Sequence, residues 1–217
     1  MRLVVIGAAA SGKSTLTDLL VASHPGTSTF GVRRHFARQI ELGTPAGLAV
    51  ADVVKAQGWI PDRLVAAAVR SELITGGLTH DFILEGMPGN FRQAQLLDEV
   101  LQDFDIPLDA AVHVDTPLEL CASRSRQRRV CSYCDGGSHQ AEFDSLANCI
   151  RCGRPVTRRG TDSPEEFAQR LALYTQQAPP LLDFYRDSDR LIAVAGEASP
   201  HKVLGACLAQ LAIRLSR

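Results

Sequence analysis

The sequence predicts an α/β fold, a parallel sheet with helices on both faces. Three observations carry this prediction. Short β-rich apolar runs alternate with amphipathic helical stretches along most of the 217 residues. The first run, "RLVVI", passes directly into "GAAASGKST", Gly7–Thr15, a loop of small residues that opens a helix. Finally, two segments, 31–73 and 123–162, break the alternation and read as insertions into a core made of 1–30, 74–122 and 163–217. The whole of 1–217 is expected to be a single domain carrying two flaps.

Taken in order, Leu3–Ile6 is a short apolar strand. The helix that begins near Lys13 carries Leu16, Leu19 and Leu20 at helical spacing. Thr27–Phe30 reads as a second strand. Val32–Leu42 and Ala46–Gln57 read as helices separated by "GTP", the second stopped by Gly58. Pro61-Asp62 opens a further helix that runs to about Ile74. "DFIL", Asp81–Leu84, is a central strand that delivers Glu85 at its end. Arg92–Leu101 is amphipathic, Ala110–Val114 is a clear strand, and a helix follows from Pro117. Beyond the break at 124–162, Ser163 caps a helix, Pro164 fits its first position and Glu166 closes a capping box. Arg190–Val194 is the last strand and Pro200–Leu215 the last helix.

Composition narrows the function. Apolar residues make up 45% and charged residues 22%, as in an ordinary globular protein. The net charge of −1 gives no global basic field for nucleic acid. Locally, "SRSRQRR" and "RPVTRR", with Arg151, place eight arginines within Ser123–Arg159, which reads as an anion site. No apolar run approaches the roughly 20 residues of a membrane span. The opening residues loosely imitate a secretory leader, but Lys13 and "SGKST" interrupt them, so a cytoplasmic protein is expected.

The pattern G-x-x-x-x-G-K-S is a phosphate-binding loop. Glycines at 7 and 12 let successive N–H groups point inward, and the helix N-terminus adds the positive end of its dipole. Lys13 is expected on the β- and γ-phosphates and the Ser14 hydroxyl on Mg²⁺. Glu85, following a buried strand, is a second candidate Mg²⁺ ligand. Cys131-x2-Cys134 and Cys149-x2-Cys152 put two thiolate pairs on two tight knuckles, suited to one tetrahedral Zn²⁺. Four protein ligands leave no open position, which makes that metal structural. Disulfides would require an oxidising compartment, and a redox C-x-x-C would not come twice.

Together these residues resemble the adenylate kinase family in its bacterial form with a zinc-bearing lid. "ILEGMPGNFRQAQLLDEV" is similar to the family's D-G-F-P-R-x-x-x-Q-A signature, with Glu85, Gly86, Pro88, Gln93 and Ala94 in register. "ASRSRQRRVCSYC" is similar to the run leading into the lid and places Arg124, Arg128 and Arg129. The run after the second cysteine pair puts Arg159, Asp162 and Arg170 on family positions, and "GEASPHKV" matches the final loop. The resemblance implies a P-loop NTPase-type sheet of five parallel strands, an acceptor-binding insertion at 31–73 and a zinc lid at 123–162. It implies ATP bound by Gly7, Ala10, Ser11, Gly12, Lys13, Ser14, Thr15, Arg124 and Gly196. Arg124, Arg128, Arg159 and Arg170 would join Lys13 and Glu85 in catalysis. Arg34, Arg38, Gly86, Arg92, Gln93, Arg159 and Arg170 would hold the acceptor.

Departures concentrate on the acceptor side. Where the family places a phosphate-gripping arginine, this chain has Gly89. Met87 replaces an aromatic residue, and Glu85 replaces Asp. The T-G-D-x-L-R run is blurred into "FGVRRHFARQ", where Arg33, Arg34 and Arg38 compete for one role. The expected activity is transfer of the γ-phosphoryl group of Mg-ATP to a nucleoside monophosphate, AMP or similar, by a monomer. A kinase of another small metabolite, a nucleoside or sugar, is the alternative that Gly89 feeds. A nucleic-acid-associated ATP-binding zinc protein is a third reading, weakened by scarce aromatic residues around the cysteines.

Overall fold

A computed structural model describes residues 1–55, 58–131, 133, 141, 143–158 and 163–216. Five parallel strands form the main sheet: β1 (Arg2–Ile6), β2 (Ser28–Gly31), β3 (Phe82–Glu85), β4 (Ala110–Asp115) and, following a two-stranded ribbon, β7 (Leu191–Ala195). Their spatial order is β2-β3-β1-β4-β7. β1 lies between β3 and β4, with Val5 beside Glu85 on one side and Val112 on the other.

The two-residue period of the strands divides the interior into two cores, one on each face. Leu3, Val5, Ile83, Val112 and Val114 point into one core with α1 (Lys13–Ser23) and α8 (Pro200–Leu215). Val4, Ile6, Phe82, Leu84 and Ala111 point into the other. That second core is closed by α4 (Asp62–Thr75), α5 (Phe91–Asp103) and α7 (Pro164–Asp187). Both faces of the sheet are covered, which is why β1 and β3 at its centre read as apolar runs.

β1 is flanked by β3 and β4 and followed in the chain by neither, so the strand order reverses there. Open α/β sheets bind ligands at such a point, beyond the carboxyl ends of the strands. The ends of β1, β3, β4 and β7 deliver the glycine loop, Glu85, Asp115 and Gly196 to that one edge.

The first insertion consists of α2 (Val32–Glu41), α3 (Pro45–Lys55) and α4. The helix expected at Ala46–Gln57 is α3, displaced to Pro45–Lys55, and Gln57 lies outside the described residues. The second insertion leaves the sheet through α6 (Leu118–Gln127) and forms an antiparallel ribbon of β5 (Arg129–Val130) and β6 (Thr157–Arg158). Cys131, Ala141, Cys149 and Val156 make a small apolar cluster beside it.

Helix α7 starts at the expected cap, where Ser163 Oγ accepts from the Glu166 amide at 3.3 Å and donates to Glu166 Oε2 at 2.9 Å. It continues for 24 residues through Pro179 and Pro180. An internal proline costs about 3 kcal/mol, and burial of Ala178, Leu181 and Tyr185 on the same helix opposes that cost.

Candidate active site

A cavity of about 800 Å³ opens at the carboxyl edge of the sheet. Its floor is the loop from Gly7 to Gly12. Gly7 has φ +156°, and a Cβ there would come within 2.7 Å of Ser11 Oγ and 2.8 Å of the Val114 carbonyl. Only glycine lets the loop turn back so closely on β4. The loop ends in Gly12, which precedes α1 in a left-handed conformation without a side-chain cap, and no acidic residue follows in the first turn. The helix therefore presents bare amides and the positive end of its dipole to the cavity.

Lys13 folds its chain back over this loop and donates to the carbonyls of Gly7, at 2.8 Å, and Ala8, at 2.6 Å. Burial pulls its pKa down from 10.5 to about 8, and the Glu85 carboxylate opposes that shift. The Ser14 hydroxyl donates to Glu85 Oε1. A hydroxyl from the first turn of α1 and a carboxylate from the end of β3 thus meet at the loop, an all-oxygen pair of the kind that suits Mg²⁺.

Arg124, in the last turn of α6, also lines the cavity. It donates to the Ser11 carbonyl at 3.2 Å and the Gly196 carbonyl at 3.0 Å, tying the glycine loop to the loop after β7. Arg128 follows α6, and Arg170 stands on α7 with its guanidinium 5.3 Å from the Phe167 ring centroid. Both line the same cavity. Phe143, from the second insertion, and Tyr174, from α7, complete this side. The Tyr174 hydroxyl lies 2.8 Å from His113 Nε2 on β4.

The opposite end is built by the first insertion. Arg33 and Trp59 reach the cavity there, beside Glu85, Gly86, Pro88 and Gly89. Arg33 Nη2 lies 3.5 Å from the Gly58 carbonyl. Its surroundings lower its pKa, first by desolvation and then through the charge of Arg170. Two guanidinium groups that repel each other across a cavity define a place for an anion.

Three cysteine sulfurs, of Cys131, Cys149 and Cys152, lie within 4.8 Å of one another in the second insertion. Cys131 Sγ and Cys152 Sγ are 3.6 Å apart. Cys134 lies outside the described residues, as does Arg159.

Comparison with known proteins bears on this arrangement. A family model described as adenylate kinase matches residues 5–190. The chain is 34% identical over 200 residues to an adenylate kinase of Symbiobacterium thermophilum, covering 91% of this chain and 92% of that protein. It is 31% identical over 216 residues to one from Thermodesulfovibrio yellowstonii, covering 97% and 99%. The chain belongs to the adenylate kinase family. It is a nucleotide kinase, a phosphotransferase, and its fold is the five-stranded P-loop architecture that the sequence resemblance implied. No helix among the described residues is long and apolar enough to cross a membrane.

Within this adenylate kinase family member, the cavity gathers Gly7, Ala10, Ser11, Gly12, Lys13, Ser14, Thr15, Glu85, Gly86, Arg124, Arg128, Arg170 and Gly196 of the sequence-derived set. Arg34, Arg38 and Arg92 do not line it. In α2, Val32 and Phe36 face the core. At 3.6 residues per turn, the backbone positions of Arg34 and Arg38 lie about 180° and 140° from that stripe; all three arginines are exposed, and the Arg34 guanidinium folds back against Gly31 at the end of β2. Arg33 sits at the edge of the stripe and reaches the cavity. Arg92 is turned outward to Gln95 Oε1 at 3.3 Å and Glu99 at 3.8 Å. Gln93 is buried, its amide engaged by the Gly89 N–H at 2.8 Å and by Asp62 Oδ1 at 2.9 Å.

Sequence reasoning missed Trp59 and Tyr174 as wall residues. The helical phase of Val32 and Phe36 was a usable signal for preferring Arg33 to Arg34 or Arg38. Nothing local marks Trp59.

Proposed function

We propose that this chain moves the γ-phosphoryl group of Mg-ATP onto the phosphate of a nucleoside monophosphate, AMP or a close relative. The observation that supports this reading best is the polarity of one continuous cavity. A phosphate-binding loop with Lys13 and the Ser14–Glu85 pair occupies one end, and Arg33 faces Arg170 toward the other. Relatives named adenylate kinase over nearly their full length support the same chemistry.

In this reading an oxygen of the acceptor phosphate attacks the γ-phosphorus, and the bond from that phosphorus to the β–γ bridging oxygen breaks to release ADP. The loop amides and Lys13 hold the donor tail, and Arg124, Arg128 and Arg170 carry positive charge to the equatorial oxygens. Arg159 joins them on its family position. Mg²⁺, held by Ser14 and Glu85, would neutralise charge on the donor phosphates. The acceptor phosphate is already anionic and needs no general base. That fits Glu85 being held by Ser14 on the glycine-loop side. Arg33 takes the acceptor-phosphate role in place of Arg34 and Arg38. Gly196, at the cavity wall, would approach the adenine of ATP.

Cys131, Cys149 and Cys152, with Cys134 as the fourth ligand the sequence offers, would hold one Zn²⁺ that stiffens the second insertion and takes no part in the reaction. Closure of that insertion over both substrates excludes water, which would otherwise divert transfer into hydrolysis. The protein works as a cytoplasmic monomer.

A panel of nucleoside monophosphates, nucleosides and sugars, scored for acceptor-dependent ADP release, tests this reading. ADP release with AMP or another monophosphate is expected, together with one zinc per chain by metal analysis. Turnover with nucleosides or sugars alone would sink it in favour of a hydroxyl acceptor.

A further inference from the structure

Gly89 stands where the family resemblance places a phosphate-gripping arginine, and the structure gives the reason that no side chain is present. The indole of Trp59 lies over this glycine. A Cβ on Gly89 would overlap Trp59 Cη2 and come within 3.1 Å of Cζ2 and 3.3 Å of Cζ3. The two positions are 30 residues apart, in the loops that precede α4 and α5, yet one can be read only with the other.

The indole is held edge-on by a closed network. Trp59 Nε1 donates to Asp62 Oδ1 at 3.0 Å. The same oxygen accepts from Asn90 Nδ2 at 3.1 Å and Gln93 Nε2 at 2.9 Å. Gln93 Oε1 then accepts the Gly89 N–H at 2.8 Å, closing the ring back beneath the indole. Three donors on one carboxylate oxygen fix the aromatic plane, while 39% of the Trp59 surface remains exposed and the residue lines the cavity. The amide of Gln93, the family-matched reader of the acceptor base, is spent inside this network.

We infer that Trp59 is the specificity-determining residue of the acceptor end, a fixed aromatic wall that takes the nucleobase of the acceptor by stacking. The inference rests on the nucleotide-kinase reading above and deepens it. Every base has a π-face, so stacking tolerates base identity where edge-on hydrogen bonds do not. This enzyme therefore accepts several nucleoside monophosphates with similar efficiency, within about tenfold of one another. Arg33, tethered at Gly58 next to the indole, supplies the charge that Gly89 does not.

Trp59 is the single tryptophan of the chain, so its fluorescence reports on this wall without engineering. With excitation at 295 nm and no ATP present, AMP, GMP and CMP should quench it saturably, and ribose 5-phosphate, which lacks a base, should not. Trp59→Ala should raise the acceptor KM roughly ten- to a hundredfold for each base, leaving the KM for Mg-ATP and the melting temperature near wild type. Trp59→Phe should recover most of that loss. Gly89→Ala should push the indole aside and reproduce the Trp59→Ala effect, and the double variant should be no worse than Trp59→Ala alone.

Fluorescence unmoved by every base, or an acceptor KM that stays within about twofold in active Trp59→Ala, would overturn the inference. Equal quenching by ribose 5-phosphate would do the same. The kinase reading fails by a different result, absence of acceptor-dependent ADP release with every monophosphate in the panel. Quenching by bases without that release would uphold the stacking wall while removing the reaction.

Discussion

The two ends of the cavity differ in what they are made of. The proposed donor end is built mostly of backbone: loop amides, a helix N-terminus, and carbonyls that hold Lys13 and Arg124 in place. These groups follow the ends of β1 and β7, and any change in the path of β1 would disturb both cores. At the acceptor end the wall is made of side chains from an inserted helical segment, Arg33 and Trp59, fitted against the bare backbone of Gly89. Backbone sites carry a sequence motif because only particular residues permit that backbone path. Side-chain walls can exchange one compatible pair for another, arginine for glycine plus tryptophan, and leave no motif behind. The difference teaches where a family can change its substrate without changing its chemistry.

The contrast can be broken most forcefully at Lys13. Lys13→Ala should lower kcat by roughly 10³-fold, the upper range for a pre-organised charge that acts in the transition state. Because burial penalises the ammonium, the melting temperature of the ligand-free protein should stay level or rise. Retained turnover in this variant would remove the donor end from the mechanism.

A second comparison sharpens the acceptor end. Arg33→Ala should raise the acceptor KM roughly ten- to a hundredfold, the range for losing one charged hydrogen-bonding partner. The KM for Mg-ATP should hardly move. Arg34→Ala and Arg38→Ala, which do not line the cavity, should stay within about twofold of wild type. Steady-state kinetics with both substrates varied separates the three, and a large effect at Arg34 or Arg38 would contradict the helical phase seen here.

The smallest effect is a pH dependence confined to the donor end. In the free protein Lys13 is depressed from 10.5 to about 8. Between those values the unfolded chain keeps the proton and the folded one does not, so this group's contribution to stability rises with pH across the window. Below about 8 its burial cost is fully present. Donor phosphates favour the charged form, so binding Mg-ATP near pH 8–9 should take up a proton. Affinity should then fall above pH 8 by less than about tenfold per unit. Calorimetry in two buffers of different ionisation enthalpy measures that uptake. Binding of the acceptor alone should show no such signature from this group, and Lys13→Ala should abolish it.

Much of the donor end was legible before any coordinates. G-x-x-x-x-G-K-S fixes a loop, a lysine and a hydroxyl within nine residues, and local backbone geometry suffices to place them. The unbroken apolar run Leu3–Ile6 likewise determines a strand buried on both faces. The capping box at Ser163 determines where α7 begins, although not that burial of Leu181 and Tyr185 would carry it past two prolines. At the acceptor end, sequence showed that an arginine was gone without showing what had taken its place. Three nearby arginines competed for one role, and a single turn of helix, oriented by Val32 and Phe36, separates Arg33 from the other two.

By itself, then, the sequence determined the sheet and the glycine loop, because each follows from periodicity or from residues a few positions apart, while the class of reaction came from the family resemblance carried by several such runs together. Tertiary structure alone decided which arginine faces the cavity, that Ser14 meets Glu85, and that Trp59 covers Gly89. Those pairings join positions tens of residues apart, and they exist only once hydrophobic burial has docked the insertion onto the carboxyl edge of the sheet.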